Sequence, residues 1–294
     1  MIPKRQVPCN LCGSERFAIL YPDELGDEAP SVDYNFSRQT RKTFQIVRCD
    51  SCGLIFTNPM PSLESVYTET RDETYLRSRA QRLRTAEHVV DLIRRFRPGG
   101  TLLDVGCATG VLLDAASRHF AVEGIELSRW AREEASSRHK VYDRPLADLD
   151  LDKQYDVVTL MGVIEHFEDP TREIQAINRV LKPGGLFVLY TGDAEAWLSR
   201  LLGKKWWWYQ GMHLFYFSRR TCQALLQKCG FTTIRVTTHR TYFQLFSLAV
   251  SMRRYWIGSV IEPVMKLPGL RDIMVPLQLS GEMLMFAEKR PARQ

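Results

Sequence analysis

From residue 101 onward, short apolar runs alternate with segments of helical periodicity. Helices are predicted after Gly110, after Ser128 and after Asp169-Pro170, where aspartate can cap the helix and proline suits its first position. Strands are predicted in four apolar runs, 101–105, 121–125, 155–161 and 186–190. Because apolar strands that alternate with helices form parallel sheets covered on both faces, the pattern predicts an α/β fold that binds its ligands at the carboxyl ends of the strands.

Length and composition permit one large core and a small accessory module. The chain has 294 residues, 45% of them hydrophobic. It shows no basic leader followed by an apolar run, and no apolar stretch approaches the roughly 18 residues of a membrane span. We therefore expect a cytoplasmic protein that is not integral to a membrane.

The net charge of +6 is unevenly distributed along the chain. Residues 201–294 carry 14 Lys and Arg against 4 Asp and Glu, whereas residues 101–200 carry 11 against 17. A basic, aromatic-rich final third could face anionic lipid at the inner membrane surface, nucleic acid or a phosphate-bearing substrate. An ordinary solvated basic surface would have the same composition.

Four of the seven cysteines form two C-x-x-C pairs. In a chain without an export signal, such pairs indicate thiolate ligands of a tetrahedral Zn²⁺ better than disulfides. An insertion around residues 23–30 is expected to loop out, because the two pairs are 36 residues apart. The predicted ligands of this structural zinc ion are Cys9, Cys12, Cys49 and Cys52.

A glycine turn lies at the junction of the first parallel strand and its helix. Gly106 and Gly110 would let the backbone pass close to a ligand. The next strand ends at Glu126, an acidic residue placed to accept hydrogen bonds from a ribose diol. The G-x-G-x-x-G spacing of the dinucleotide-binding dehydrogenases is absent, so the two features favour another nucleoside ligand.

These motifs resemble those of the class I S-adenosylmethionine (SAM)-dependent methyltransferases. DVGCATG is similar to their first motif, GIELS to the acid of the second strand, and RVLKPGG to the turn before the fifth strand. The CxxCG and CxxCGLxFxNP knuckles are similar to those of zinc-ribbon methyltransferases of sugar, glycan and natural-product pathways. The resemblance covers about residues 78–240. It implies a Rossmann-like seven-stranded sheet with an antiparallel last strand, preceded by a small zinc-ribbon module.

The resemblance also implies a set of SAM contacts. Asp104 would order the glycine turn, Glu126 would hold the ribose hydroxyls, and Asp148 would accept from the adenine amino group, with Asp150 as a close competitor. The family often has a further glycine where Ala108 stands. The full set of residues assigned to the cofactor is Asp104, Gly106, Cys107, Gly110, Glu126, Asp148 and Met161.

Two histidines are candidates for the base that takes a proton from a hydroxyl acceptor. His166 follows the fourth strand at the carboxyl edge of the sheet, and His213 lies in the aromatic stretch KKWWWYQGMHLFYF. Either could instead be a packed, hydrogen-bonded residue. A related ubiquinone-pathway group is thought to bind a divalent metal through its Glu-His pair. Gly162 stands here where a carboxylate would help, so we expect no catalytic metal.

The aromatic stretch is predicted to form a lid over the acceptor. A helix is expected over residues 194–203, with Trp197, Leu198, Leu201 and Leu202 on one side. Alternate tryptophans of the following segment would pack inward while the others cover the pocket, and Lys204 and Lys205 could meet phosphate or headgroup charge. Core packing and membrane contact are the alternatives.

The predicted organisation is a zinc-ribbon module at 1–60, a helical connector and cap at 61–100, and a methyltransferase domain at 101–294 with a lid at 194–217 and a helical insertion at 241–276. The zinc module is expected to stabilise or cover one end of the domain without a direct part in the chemistry. The predicted function is methylation of a small-molecule acceptor by SAM. The acceptor hydroxyl would belong to a glycan, a glycolipid or a secondary metabolite, phosphate-bearing or lipid-linked. An RNA methyltransferase and a non-catalytic SAM-binding scaffold are the alternatives.

Overall fold

A seven-stranded sheet forms the centre of the molecule. The computed structural model describes residues 2–30, 42–68, 71, 73–151, 153–245 and 273–291. The strands of the chain are β1 (Lys4–Arg5), β2 (Phe17–Tyr21), β3 (Ile46–Cys49), β4 (Ile55–Thr57), β5 (Met60–Pro61), β6 (Gly100–Val105), β7 (Phe120–Ile125), β8 (Lys140–Tyr142), β9 (Tyr155–Met161), β10 (Leu181–Gly192), β11 (Phe215–Tyr216), β12 (Phe231–Thr237), β13 (Thr241–Gln244), β14 (Met274–Leu277) and β15 (Glu282–Lys289).

The strand order of the central sheet is β12-β15-β10-β9-β6-β7-β8. Neighbours from β10 to β8 run parallel, whereas β15 pairs antiparallel with both β10 and β12. The predicted Rossmann-like sheet with an antiparallel last strand is therefore confirmed. Three-residue β8 was not predicted, because so short a strand has no periodicity to detect.

Helices cover both faces of this sheet. They are α1 (Glu64–Thr68), α2 (Glu73–Arg77), α3 (Arg79–Arg94), α4 (Val111–Ala116), α5 (Arg129–Ser136), α6 (Pro170–Val180), α7 (Trp197–Leu202) and α8 (Arg219–Lys228). The predicted starts of α5 and α6 are confirmed, since Ser128 accepts from the Ala131 amide and Asp169 from the Arg172 amide. Ser218 and Thr221 form a reciprocal cap at α8.

The two faces of the sheet bury different partners. On one face, α3 and α4 pack over residues such as Leu102, Val157 and Val188. On the other, α6 and α8 form a single cluster that continues into the N-terminal module and includes Phe56 and Phe187. Each of these fully buried phenylalanines contributes about 1.5–3 kcal/mol of hydrophobic free energy, so the module is part of the main core.

The N-terminal module is a four-stranded antiparallel sheet that takes one strand from the distant aromatic segment. Its order is β11-β4-β3-β2, with Phe215 opposite Phe56 and Tyr216 opposite Ile55. Residues 23–30, expected to loop out, lie between β2 and β3 and belong to neither strand, and Leu25 within them is buried. A Cβ at Gly211 would come within 2.6 Å of the Leu25 side chain, so this stretch packs on the aromatic segment.

The predicted helical insertion at 241–276 is wrong at both ends. Strands β13 and β14 pair antiparallel there, with Tyr242 opposite Pro276. The adjacent Tyr242 and Phe243 of β13 are residue types that suit a strand, whereas the prediction followed the apolar content of the whole stretch. Residues 246–272 lie outside the described residues. Among the described helices, none combines the length and apolar character that a membrane-spanning segment requires.

Candidate functional site

The glycine turn between β6 and α4 has the backbone conformation that its sequence requires. Gly106 and Gly110 have φ of 76° and 79°, values that favour glycine. A Cβ at Gly106 would also collide with the Val163 side chain. Ala108, where the family often has glycine, adopts a φ of 47°. All three residues of the turn therefore adopt a left-handed backbone conformation.

Glu126 connects the end of β7 to this turn. Its two carboxylate oxygens accept from the amides of Ala108, at 2.8 Å, and Ser128, at 2.7 Å. Burial raises the pKa of Glu126, and the two amides oppose that shift. Each oxygen keeps a second lone pair for a ribose hydroxyl. The turn and the carboxylate thus fit the adenosyl group of SAM that the fold implies.

Asp104 accepts a hydrogen bond from the neighbouring strand of the sheet. Its Oδ1 accepts from the Thr159 hydroxyl on β9 at 2.6 Å, and the side chain is buried. Burial raises the pKa of Asp104 to about 7, and the nearby Glu126 adds to the shift. The implied role of Asp104 in ordering the glycine turn remains a prediction.

The other residues assigned to the cofactor lie less favourably. The Cys107 side chain points into the core, since a Cβ at Gly124 would come within 2.6 Å of its Sγ, so only its backbone can face a ligand. Asp148 is exposed and forms an ion pair with Arg172. Met161, at the end of β9, is partly buried against the core. Their contacts with SAM remain predictions.

His166 faces the site from the turn after β9. Its Nδ1 lies 3.1 Å from the Met212 carbonyl and 3.0 Å from the Tyr67 hydroxyl, which itself donates to the same carbonyl. Because the carbonyl can only accept and the hydroxyl proton is already used, Nδ1 carries the proton and Nε2 has the free lone pair. Burial lowers the pKa of His166 to about 4.

His213 lies against His166, with ring centroids 4.8 Å apart. Its Nδ1 lies 2.7 Å from the Trp208 carbonyl, an acceptor, so Nδ1 again carries the proton and Nε2 is free. Burial lowers the pKa of His213 well below its usual value, and His166 lowers it further. The structure therefore brings the two candidate histidines together as neutral imidazoles in the same tautomer.

Glu165 completes a three-residue cluster with the two histidines. Ligand atoms of Glu165, His166 and His213 all lie within 4.8 Å of one another. The carboxylate is buried, accepts from Thr191 at 3.0 Å, and has its pKa raised to about 7 by burial. The cluster can compensate an imidazolium, and one carboxylate with two imidazoles could also hold a divalent ion. Sequence reasoning did not include His213 in such a set, because it is distant in the chain.

In the aromatic segment, residues 204–217, buried and partly exposed tryptophans alternate. Trp206 and Trp208 are buried, whereas Trp207 is partly exposed and donates to Glu282 at 3.1 Å. This matches the predicted inward and outward tryptophans. The preceding helix covers Trp197–Leu202, shorter than the predicted 194–203, and Trp197 and Leu201 on its apolar side are 67% and 73% exposed. Helical spacing placed them together but could not say which side faces water.

The two lysines before the tryptophans were expected to meet phosphate or headgroup charge. Lys204 instead forms an ion pair with Glu24 and lies over the Tyr21 ring, both in the N-terminal module. Lys205 is exposed. Lys204 therefore contributes to the contact between the aromatic segment and the module.

Several buried residues near the cluster were not found from the sequence. Tyr190, on β10, has ring contacts with Trp208 and His239, and its hydroxyl hydrogen-bonds Glu282. Burial lowers the pKa of His239 to about 3, and its Nδ1 has no hydrogen-bond partner among the described residues. None of these residues belongs to a local motif, so only the fold brings them together.

The four predicted zinc ligands meet in the N-terminal module. Their sulfur atoms all lie within 4.8 Å of one another, with Cys9 and Cys52 3.4 Å apart and Cys12 and Cys49 3.6 Å apart. A tetrahedral Zn²⁺ with bonds of about 2.3 Å requires sulfur separations of roughly 3.8 Å, so the cluster fits that ion. Both knuckles close on a glycine of positive φ, Gly13 and Gly53.

Comparison with known proteins agrees with this fold. A family model described as "Methyltransferase domain" matches residues 75–236, more than half of the chain. A solved structure described as a SAM-dependent methyltransferase and possible histamine N-methyltransferase, from Thermotoga maritima, is 19% identical. It superposes with a TM-score of 0.50 over 74% of this chain and 94% of that chain, a likeness of fold alone.

Two curated relatives share more sequence over a shorter region. Ubiquinone biosynthesis O-methyltransferases of Pseudomonas paraeruginosa and Paracidovorax citrulli are 32% identical over 121 residues and 33% identical over 122 residues. Each match covers 37% of this chain, and 52% and 51% of the respective relative. The chain thus spans about half the length of the curated relatives it matches.

The sheet order, the glycine turn and the acid after β7 define a class I SAM-dependent methyltransferase fold. The chain belongs to the methyltransferase-domain family. The recognition made from DVGCATG and GIELS is confirmed, and SAM is the cofactor that the family supports.

Proposed function

We propose that this protein transfers a methyl group from SAM to a hydroxyl oxygen of a small-molecule acceptor. The observation that carries the proposal is the pair of neutral histidines, His166 and His213, which lie in one cluster with Glu165 at the carboxyl edge of the sheet and use Nδ1, not Nε2, to contact backbone carbonyls. A hydroxyl acceptor must lose a proton during transfer, and a neutral imidazole can take it. The names of the curated relatives support O-methylation in general.

Bound SAM supplies an electrophilic methyl group on a sulfonium. The glycine turn and the Glu126 carboxylate, at the tips of β6 and β7, would hold its adenosyl end and so align the methyl group. His166 or His213 accepts the acceptor proton at Nε2, and the Glu165 carboxylate stabilises the resulting imidazolium. Buried Trp208 and partly buried Tyr190 exclude water from the acceptor side.

The acceptor class is tested by incubating purified protein with isotope-labelled SAM and hydroxylated small molecules: phenols, glycans, glycolipids and lipid-linked alcohols. We expect label in a methyl ether of one such class and none in total RNA. Label in RNA, or in a nitrogen- or carbon-methylated product alone, would contradict the proposal. The product is identified by mass spectrometry.

We also propose that the four cysteines hold a structural Zn²⁺. Thiolates at these separations favour a closed tetrahedral site, and the binding free energy becomes folding free energy of the module. Elemental analysis is expected to find one zinc per chain, and chelation should lower the melting temperature. A Cys12→Ser variant with unchanged zinc content and melting temperature would remove this proposal.

A further inference from the structure

The N-terminal module makes hydrogen bonds to the loop that follows His166. Glu168 of that loop accepts from Arg5 at 3.2 Å and from the Ser62 hydroxyl at 2.9 Å. The neighbouring Asp169 accepts from the Asn10 amide nitrogen at 2.8 Å. All three donors belong to the first 62 residues, so the loop position depends on the module.

Tyr67, just beyond the module, reaches the His166 ring itself. Its hydroxyl donates to the Met212 carbonyl at 2.6 Å and lies 3.0 Å from His166 Nδ1, and the two rings make an edge contact at 5.3 Å. Because Tyr67 uses its proton on the carbonyl, it presents a lone pair to the imidazole. This arrangement favours the tautomer that leaves Nε2 free.

The module also fixes the backbone of His213. The Thr57 amide on β4 donates to the Leu214 carbonyl at 2.8 Å, and the Leu214 amide donates to the Glu165 carbonyl at 2.7 Å. One residue later, Phe215 stacks on Phe56 at 5.9 Å. The main chain after His213 is therefore clamped between the module and the turn that carries Glu165 and His166.

We infer that the N-terminal module, together with Tyr67 just beyond it, positions the histidine pair, with Tyr67 holding the His166 ring at Nδ1 and Thr57 setting the place of His213. The role of these residues in catalysis rests on the proposed function, whereas the positioning itself does not. Tyr67 and Thr57 act through the histidines and are not themselves catalytic. This assigns the module a part in the acceptor side of the site, beyond the covering role expected from its sequence.

The test replaces Tyr67 by Phe, which removes one hydroxyl and keeps the ring. Tyr142→Phe is the matched control, because its hydroxyl donates to Glu123 at the far edge of the sheet. We expect Tyr67→Phe to lower kcat ~10-fold, as for one lost hydrogen bond, with KM and the SAM Kd within ~2-fold. Nitrogen-15 NMR of the imidazoles should show a shifted His166 Nδ1 resonance in this variant alone, because Nδ1 loses one of its two oxygen neighbours.

Unchanged His166 imidazole resonances in folded Tyr67→Phe protein overturn the inference. A second variant, Thr57→Val, keeps the backbone bond and removes the hydroxyl that donates to the His213 carbonyl at 3.4 Å. Its expected effect is a shifted His213 resonance and a ~3-fold lower kcat, as for a weak hydrogen bond. Identical His213 resonances in wild type and Thr57→Val overturn the part assigned to Thr57.

The spectroscopic and kinetic results separate two kinds of failure. If no acceptor is methylated but the imidazole signals respond to both variants, the proposed function fails and the positioning stands. If methylation is found and the imidazole signals ignore both variants, the positioning fails and the function stands.

Discussion

The cofactor side and the acceptor side of the cleft are built in opposite ways. The cofactor side comes from two consecutive strand ends, where Glu126 binds the amide of Ala108 only 18 residues away. The acceptor side joins segments far apart in the chain, since Tyr67 meets His166 across 99 residues and Met212 across 145. Local geometry therefore specifies the first side, and tertiary packing specifies the second.

Charge distinguishes the two sides as well. The cofactor side buries two carboxyl groups, Asp104 and Glu126, whose pKa values are raised by burial. The acceptor side buries two imidazoles whose pKa values are lowered by burial beside Glu165, whose pKa is raised. A cationic cofactor suits the first environment, and a proton acceptor suits the second. Substitutions on one side should therefore leave the other side's function intact.

Substitution of the histidines should give the largest difference between an effect on turnover and an effect on SAM affinity. We expect His166→Asn or His213→Asn to lower kcat ~10²- to 10⁴-fold, the range of general-base catalysis, with SAM affinity unchanged. Steady-state kinetics and calorimetry measure the two quantities, and exposed His119→Asn is the control. Full activity in both variants would place proton removal elsewhere, and activity lost on EDTA treatment would favour a metal at this cluster.

The reciprocal change is Glu126→Gln on the cofactor side. Loss of the negative charge that accepts the ribose hydroxyls should raise the SAM Kd about 10- to 100-fold, as expected for charge-assisted hydrogen bonds. Exposed Glu133→Gln on α5 should leave the Kd as in wild type. At saturating SAM, kcat should largely recover. Comparable losses of SAM affinity in both variants would contradict the assignment.

A stability measurement tests the buried acid of the cofactor side. Because the folded-state pKa of Asp104 is about 7, the stability from its protonation is fully present below its unfolded pKa of about 3.9 and is lost as pH rises through 7. Asp104→Asn mimics the neutral form. We expect it to be about 1–3 kcal/mol more stable than wild type at pH 8.

The same variant should differ little from wild type near pH 4, where Asp104 is already protonated. Melting curves of both proteins from pH 4 to 8, without SAM, measure the difference. Parallel curves over the whole range would show that Asp104 is ionised at neutral pH.

The smallest expected effect concerns Ala108. Its φ of 47° costs an alanine about 1–2 kcal/mol, and glycine would regain part of this while losing about 0.5–1 kcal/mol of chain entropy. Ala108→Gly should therefore stabilise the free protein by less than about 1 kcal/mol and leave activity unchanged. Chemical denaturation measures the difference, with Ala115→Gly inside helix α4 as a destabilising control.

Sequence reasoning succeeded where neighbouring residues determine the structure. The strand at 155–161, the helix start after Ser128, the cap at Asp169 and the cysteine cluster were all predicted, since each follows from local spacing. The positive φ of Gly106 and Gly110 is likewise determined by neighbouring residues.

The acceptor side was only partly predictable. His166 and His213 were each candidates, but their contact depends on how β11 joins the module sheet, which no local pattern encodes. Tyr67 and Tyr190 carry no signal in the sequence beyond being aromatic. The exposed faces of Trp197 and Leu201 likewise depend on which neighbours the fold supplies.

The pairing of β4 with β11 has a consequence for evolution and for engineering. The first 61 residues could not be exchanged for those of another protein without also exchanging the stretch around Phe215, because each completes the other's sheet. The two stretches should therefore change together over evolution despite the more than 150 residues between them. A chimera in which only the first 61 residues are exchanged would disrupt the pairing of β4 with β11.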